Sequence, residues 1–168
     1  GISPPADTTT ARPSIGGTAP TVRGTVNMAG SNSHVQGVTI QPPSGSAALV
    51  ASLAGPFTGL VVSDIPNVTA VSARAVNLNN VSGTFNITTV NASAADIGIN
   101  LSSVNLSGGS FTVAGSGGLC SSASPSCSGG TISNSTDTGV KLTNANSITL
   151  TRLRVANTPN FGLNGSSV

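Results

Sequence analysis

The chain has no glutamate, tryptophan or tyrosine, and its 168 residues include only six basic and four acidic side chains. Ordinary globular domains carry about a quarter charged residues, so this composition excludes a typical cytosolic surface. Glutamate and lysine, two strong helix formers, are almost missing, and frequent Asn, Ser, Thr and Gly interrupt any long helical run. Val, Ile and Leu nevertheless recur throughout, which disfavours disorder. We predict an all-β chain.

Long apolar runs are also missing. None approaches the ~18 residues that a membrane-spanning helix needs, so no membrane insertion is expected in this segment. Residues 1–20 are rich in Pro and Thr and lack the apolar centre of a signal peptide. A signal was therefore removed, or the segment is internal. We predict that residues 1–23 form a leading or capping segment and that residues 24–168 form one repeat domain.

The two cysteines, Cys120 and Cys127, enclose a short, serine-rich loop of six residues, Ser-Ser-Ala-Ser-Pro-Ser. Two cysteines without a nearby histidine are too few for a structural zinc site. The simplest interpretation is a disulfide that closes a loop insertion at about residues 115–130, and two free thiols are the alternative. A disulfide implies an oxidising compartment, so we expect an extracellular or cell-surface location and no cofactor.

The strongest signal is an internal repeat. Its copies share a small residue, then two apolar residues separated by one variable residue, then a polar pair. We align copies beginning at Gly37, Gly59, Ala75, Gly98, Gly139 and Gly162. The intervals are 22, 16, 23, 41 and 23 residues, so the 41-residue interval is either two coils or one coil with an insertion, and the 16-residue interval is the weakest part of the register.

Alternating apolar residues indicate short strands with one inward face, and each polar pair indicates a turn. The clearest coil, 139–161, predicts three strands, with inward pairs Val140/Leu142, Ile148/Leu150 and Leu153/Val155. Stacked coils would bury these faces. The sixth repeat position is polar in five copies, and we predict an outer ladder there. Its members are Asp64, Asn80, Ser103, Asn144 and Ser167.

The segments Gly-Val-Lys-Leu-Thr-Asn-Ala-Asn-Ser-Ile-Thr-Leu and Leu-Arg-Val-Ala-Asn-Thr-Pro-Asn-Phe-Gly-Leu, from residue 139 onward, resemble the repeat of the pectate-lyase-like superfamily. The Asn/Ser/Thr-rich, glutamate-free style is similar to large bacterial secreted and surface repeat proteins. The resemblance covers about residues 24–168. It implies a right-handed parallel β-helix with about 20–23 residues per coil, and it says little about function, because this fold carries lyases, hydrolases, tailspikes and adhesins.

An enzyme of this fold would need paired carboxylates or carboxylate calcium ligands. The four aspartates, Asp7, Asp64, Asp96 and Asp137, are each explained by turn or ladder positions. If a site existed, Asp64 or Asp96 with Arg74 would be its candidates. The lone His34 is expected to have no catalytic role. We therefore predict no catalysis, with a polysaccharide-processing β-helix (a lyase, a hydrolase or a tailspike-type depolymerase) as the alternative.

Binding surfaces are the remaining possibility. Arg152 and Arg154, with Lys141, would form an outward basic patch that could hold an acidic glycan, or a solvated face that prevents lateral sheet pairing. The net charge of +2 and the four phenylalanines do not support nucleic-acid binding. Phe85, Phe111 and Phe161 are expected inside the solenoid. Threonines such as Thr149 and Thr151 do not repeat from coil to coil as an ice-binding array requires.

Eight Asn-x-Ser/Thr sequons are possible glycosylation sites, about twice the number that chance would give. They begin at Asn67, Asn80, Asn86, Asn91, Asn100, Asn105, Asn134 and Asn164. The sequence thus predicts a structural extracellular protein: a surface stalk, an adhesin passenger or a filament-forming solenoid. Its expected partners are copies or flanking coils of the same protein stacked end to end, and glycans or a cell surface.

Overall fold

The computed structural model of the protein describes residues 17–51, 55–105, 107–120 and 127–168. These residues contain no helix, and parallel strands stack as a β-solenoid of about 6 turns. The all-β solenoid prediction is therefore confirmed. In chain order the strands are β1 (Thr21–Val22), β2 (Val26–Asn27), β3 (His34–Gln36), β4 (Thr39–Ile40), β5 (Leu49–Ala51), β6 (Phe57–Val71), β7 (Val76–Ser93), β8 (Ile97–Val104), β9 (Ser110–Val113), β10 (Thr131–Ser133), β11 (Thr138–Ala145), β12 (Ile148–Leu150), β13 (Arg154–Ala156) and β14 (Phe161–Ser166).

Each turn contributes strand segments to three faces, which we call the first, second and third sheets. The first sheet contains β2, β5, the start of β7, β8, β11 and β14. The second contains β3, the middle parts of β6 and β7, β9 and β12. The third contains β1, β4, the ends of β6 and β7, β10 and β13. Three strands per coil were predicted, and the pairings confirm them.

The core is a set of inner rows in which equivalent residues stack from coil to coil. One row in the first sheet consists of Val26, Leu49, Val76, Ile99, Val140 and Leu163. Its middle four members are fully buried. In the second sheet the rings of Phe85 and Phe111 stack with centroids 6.1 Å apart. Phe161, also expected inside, lies on the last described turn and is 55% exposed.

The corners between sheets use residues with positive φ. At the corner that follows the first sheet, Asn80, Ser103, Asn144 and Ser167 have φ values from 48° to 55°. These are four of the five members of the predicted polar ladder. Asp64 also has a positive φ, 52°, but it lies within the second sheet, at the irregularity between Val62 and Ile65. Asn and short polar residues tolerate this conformation better than most residues, so the other four ladder positions are corner positions.

Two of the six repeat anchors are in the wrong register. Ala75, Gly98, Gly139 and Gly162 each precede an equivalent residue of the first sheet. Gly37 instead lies between β3 and β4, which belong to different sheets, and Gly59 precedes a segment of the second sheet. All three sheets share the small-apolar-x-apolar pattern, so the pattern alone did not distinguish them.

The interval from Ile99 to Val140 is a single coil with an insertion, because β8 pairs directly with β11. The row containing these residues advances by 23, 27, 23, 41 and 23 residues. The insertion lies between β9 and β10, and Cys120 and Cys127 form a disulfide there with Cα atoms 4.9 Å apart. Parallel pairing begins at Thr21, and residues 1–16, including Asp7, lie outside the described residues. In the described part of the chain, no helix is long and apolar enough to cross a membrane.

Candidate functional site

The ion pair of Arg74 and Asp96 joins two consecutive coils at the edge of the first sheet. Arg74 precedes β7 and Asp96 precedes β8. The Arg74 Nε atom lies 3.0 Å from Asp96 Oδ1 and 3.2 Å from Oδ2, and an Nη atom also donates to Oδ2. The same carboxylate accepts a hydrogen bond of 2.8 Å from the Ile97 backbone N–H. Asp96 and Arg74 are one of the two residue pairs that the sequence suggested for a catalytic site.

The protonation of this pair argues against acid/base chemistry. The hydrogen bond from Arg74 lowers the pKa of Asp96 below its usual value, although partial burial opposes the shift. The same hydrogen bond raises the pKa of Arg74. Both groups are therefore charged at neutral pH. A general acid or base works best with a pKa near the operating pH, and this arrangement moves both pKa values away from it.

The Arg74–Asp96 pair begins a polar network that continues along the first sheet. The Asn77 Oδ1 atom accepts hydrogen bonds from an Arg74 Nη atom at 3.2 Å and from Asn100 Nδ2 at 2.9 Å. Asp137 lies one coil beyond Asp96, and its Oδ1 atom accepts a hydrogen bond from Asn160 Nδ2. These side chains bond between coils. The network therefore fixes the register of stacking.

Asp64, the other carboxylate candidate, does not meet Arg74. It lies at the irregularity of the β6–β7 pairing in the second sheet, where its Oδ2 atom accepts a hydrogen bond of 2.6 Å from Gln36 Nε2. His34 is exposed on β3, opposite Val61. Among the described residues, no three His, Cys, Asp or Glu side chains are grouped so that they could hold a metal ion.

The three basic residues do not form one patch on a single face. Lys141 lies on the outer side of the first sheet, opposite Asn100 and Asn164. Arg154 is the first residue of β13 in the third sheet. The outward basic patch requires Arg152 and Arg154 to lie on one strand, and this is wrong, because Arg152 is a corner residue with φ 54°. The strand begins after the corner.

Arg152 instead holds the cysteine loop against the next coil. Its Nε atom donates a hydrogen bond of 2.9 Å to the Gly118 carbonyl oxygen, and the Ser128 hydroxyl donates one of 2.6 Å to the Gly117 carbonyl oxygen. The loop also presents Leu119, which is 91% exposed. The Arg152 guanidinium group therefore binds the backbone of the cysteine loop.

The eight sequon asparagines fall into different environments. Asn105 is 2% exposed, its Oδ1 atom accepts from the Gly83 N–H at 3.1 Å, and its Nδ2 atom donates to the Asn146 carbonyl oxygen. Asn91 Nδ2 donates to Asn67 Oδ1 at 3.0 Å. The remaining sequon asparagines are partly buried or exposed; these are Asn80, Asn86, Asn100, Asn134 and Asn164.

A shallow groove on the second sheet was not expected from the sequence. It has a volume of about 250 Å³ and lies over Gly83 and Gly109, with hydroxyl groups along its walls from Ser82 and Thr84. A Cβ on Gly83 would lie 2.1 Å from the Leu60 carbonyl oxygen, and one on Gly109 would lie 2.1 Å from the Gly83 carbonyl oxygen. The glycines permit this close approach of backbones. Two glycines stacked on successive coils are the signal that could have located it.

The last described turn presents a second, more apolar concavity of about 550 Å³. Leu142, Ile148, Leu150 and Leu163 line it together with Val168. Leu163 is 58% exposed and Val168 is 68% exposed. Leu142, Ile148, Leu150 and Leu163 are inner-row positions of the solenoid, so the concavity lies at the end of the described core.

Comparison of the chain with known protein families, with curated protein sequences and with solved structures finds no match. The fold and the contacts described above are therefore the basis for any functional conclusion.

Proposed function

We propose that this chain is a structural extracellular protein that acts as a stiff solenoid in a surface stalk, an adhesin passenger or a filament, and that it has no catalytic activity of its own. The observation that carries this proposal is the linkage between coils. The Arg74–Asp96 ion pair and the Asn77–Asn100 hydrogen bond each join consecutive coils, so the polar groups that could serve chemistry instead serve stacking.

Stiffness follows from this construction. Backbone hydrogen bonds join each strand to its equivalents in neighbouring coils, and the inner rows bury aliphatic side chains without interruption from Leu49 to Val140. Each coil contacts only its neighbours, so stability and rigidity accumulate along the axis. A rod of this kind suits a role in which length and resistance to bending matter.

An extracellular location is supported by two features. The Cys120–Cys127 disulfide persists most readily in an oxidising compartment. The surface carries Ser, Thr and Asn where cytosolic proteins carry Lys and Glu. The repeat pattern and the parallel solenoid together support membership of the pectate-lyase-like superfamily, with a right-handed coil.

The partner that best fits the end of the described core is a further parallel coil. Leu163 and Val168 are exposed there beside the apolar concavity, and a coil stacked on them would continue the core. The outer row of the third sheet that contains Arg154 runs back, coil by coil, to Arg23. A second copy stacked in the same register would therefore bring two like charges together, which favours a flanking coil of different sequence over head-to-tail copies.

The deciding experiment is electron microscopy of the native protein with class averaging along the rod axis. We expect rods whose length grows by about 4.8 Å per coil. Assemblies that show no axial repeat of this spacing would overturn the proposal. Arg154→Gln tests the stacking argument in sedimentation velocity: longer assemblies in this variant, with Lys141→Gln unchanged as the control, are the expected result.

The alternative of a polysaccharide-processing enzyme has a direct test. Arg74 and Asp96 do meet on an exposed sheet edge, so the purified chain should be incubated with acidic and neutral polysaccharides and assayed for new reducing ends. Cleavage that disappears in Asp96→Asn, with the fold retained by circular dichroism, would replace the structural proposal with the enzymatic one.

A further inference from the structure

We propose that Asn86 is the principal N-linked glycan acceptor of this protein, and that the first sugar lies over the glycine groove on the second sheet. This inference rests on the extracellular location proposed above, but not on the structural role. It concerns which of the eight sequons the folded solenoid can carry in modified form. The modification joins the Nδ2 atom of an asparagine to C1 of a sugar, so that nitrogen must be able to point into solvent.

Asn86 meets this requirement. It is exposed in the middle of β7, and among the described residues no hydrogen bond engages its side-chain amide. Its neighbour in the next coil is Thr112, a small side chain. In the preceding coil Ser63 and Asp64 occupy the irregular part of the β6–β7 pairing, and the Asp64 carboxylate accepts a hydrogen bond from Gln36. The sequon is completed by Thr88.

The groove supplies a surface for the sugar. Thr84 lies two residues before Asn86 in the same strand, so both side chains point outward, and Thr84 lines the groove over Gly83 and Gly109. Bare glycine backbone and the nearby hydroxyl groups of Ser82 and Thr84 leave room for a pyranose ring and offer it hydrogen bonds. Asn80 also lies in β7 near Ser82, but it is partly buried and occupies a corner with a positive φ of 54°.

The competing sequons are less suited. Asn105 is buried and uses both ends of its amide in hydrogen bonds, so a glycan there would break the corner. The Nδ2 atoms of Asn91 and Asn100 donate to asparagines of the preceding coil. Asn134 is exposed, but it has a positive φ of 54° and its Oδ1 atom accepts a hydrogen bond from Asn157.

The chemistry is transfer of an oligosaccharide from a lipid pyrophosphate donor by an oligosaccharyltransferase. The bond between Asn86 Nδ2 and sugar C1 forms while the bond from C1 to the pyrophosphate oxygen breaks. One amide proton is lost, and the lipid pyrophosphate leaves. A glycan on this face would also hinder lateral association of exposed strands, since bulky polar groups oppose sheet-to-sheet contact.

The test is site mapping on the protein secreted through an N-glycosylating pathway. Peptide-N-glycosidase treatment in heavy-oxygen water, followed by peptide mass spectrometry, marks each occupied asparagine. We expect Asn86 to have the highest occupancy and Asn105 to be unmodified. Asn86→Gln and Thr88→Ala should each remove the main glycoform shift, whereas Thr88→Ser should retain it.

Two results would overturn the inference. One is a folded protein in which Asn86 is unoccupied, whether or not other sites are used. The other is a folded protein that carries its main glycan on Asn105. Circular dichroism of Asn86→Gln confirms that loss of the glycoform shift does not reflect loss of the fold.

Discussion

The guanidinium group of Arg74 binds the carboxylate of Asp96 from the following coil, with Nε 3.0 Å from Oδ1. The two residues are 22 positions apart in sequence, which is one turn of the solenoid. Because Arg74 also donates to Asn77, one side chain links an ion pair to the amide row of the first sheet. Removing this contact therefore measures how much polar side chains on the outside of the first sheet stabilise the stacking of coils.

Stability should fall at acid pH through this pair. The folded-state pKa of Asp96 is lowered, so its stabilising contribution is present above the unfolded pKa of about 3.9 and is lost as the pH falls through the lower folded value. Its side chain is 52% exposed, so the contribution is about 0.2–1 kcal/mol. Urea unfolding of Asp96→Asn should show this loss at pH 7 and a smaller difference from wild type near pH 2.

The matched control is Arg23→Gln, which removes one positive charge from a different coil. Its unfolding curve at pH 7 should stay within about 0.5 kcal/mol of wild type. Arg74→Gln, which removes the same charge together with the contact to Asp96, should lose as much stability as Asp96→Asn. An equal loss in Arg23→Gln and Arg74→Gln would show that net charge, and not the contact with Asp96, determines the effect.

Gly83→Ala should be strongly destabilising. A Cβ at this position would lie 2.1 Å from the Leu60 carbonyl oxygen and 2.8 Å from its Cβ, so the stacked coils would have to separate. Overpacking of this kind costs about 1–3 kcal/mol. We expect a loss near the upper limit of this range, because the clash is with a backbone carbonyl oxygen that cannot rotate away. Gly24→Ala is the control, since nothing lies within 4 Å of its Cβ position. Comparable midpoints for the two variants in urea would contradict the close approach.

The general architecture was predictable because the inward residues of each strand alternate with polar residues in the sequence. Val140/Leu142 and Ile148/Leu150 alternate with polar residues, and both pairs lie on strands as expected. The assignment of strands to faces was not predictable in the same way. Gly37 and Gly59 head the same local pattern as Gly98, although neither occupies the equivalent place in a coil. The local sequence pattern is enough to predict that a segment is a strand. Which of the three sheets the strand joins depends on how it pairs with strands of neighbouring coils.

The candidate site was predictable only in part for the same reason. Asp96 and Arg74 were recognised as the residues to pair, and they do. The sequence pattern predicted a corner at Thr151 and Arg152, and the positive φ of Arg152 lies there; this corner separates Arg152 from Arg154, so the basic patch on one strand does not form. The groove over Gly83 depends on which glycines stack, and that depends on the unequal lengths of successive coils.

Truncation within one inner row should show that burial varies along the solenoid. Ile99 is fully buried, and Leu163, two coils further along the same row, is 58% exposed. Ile99→Ala should lower the free energy of unfolding by about 2–5 kcal/mol, and Leu163→Ala by less than about 0.5 kcal/mol. Equilibrium urea denaturation of both variants provides the measurement. A large loss in Leu163→Ala would mean that another coil or subunit covers this end in solution.

The disulfide should stabilise the protein without determining its fold. Cys120 and Cys127 are separated by 7 residues, and closing so short a loop is worth about 2–3 kcal/mol on the chain-entropy model. The insertion lies between β9 and β10 and interrupts neither inner row, because β8 pairs with β11 directly across the extra residues. A Cys120→Ser/Cys127→Ser double variant should therefore lose about that free energy of unfolding while its far-ultraviolet circular dichroism stays that of wild type. Reducing agent should lower the stability of wild type to the same value and leave the double variant unchanged. Loss of the β-sheet signal in the double variant would show instead that the loop is required for β9 and β10 to dock.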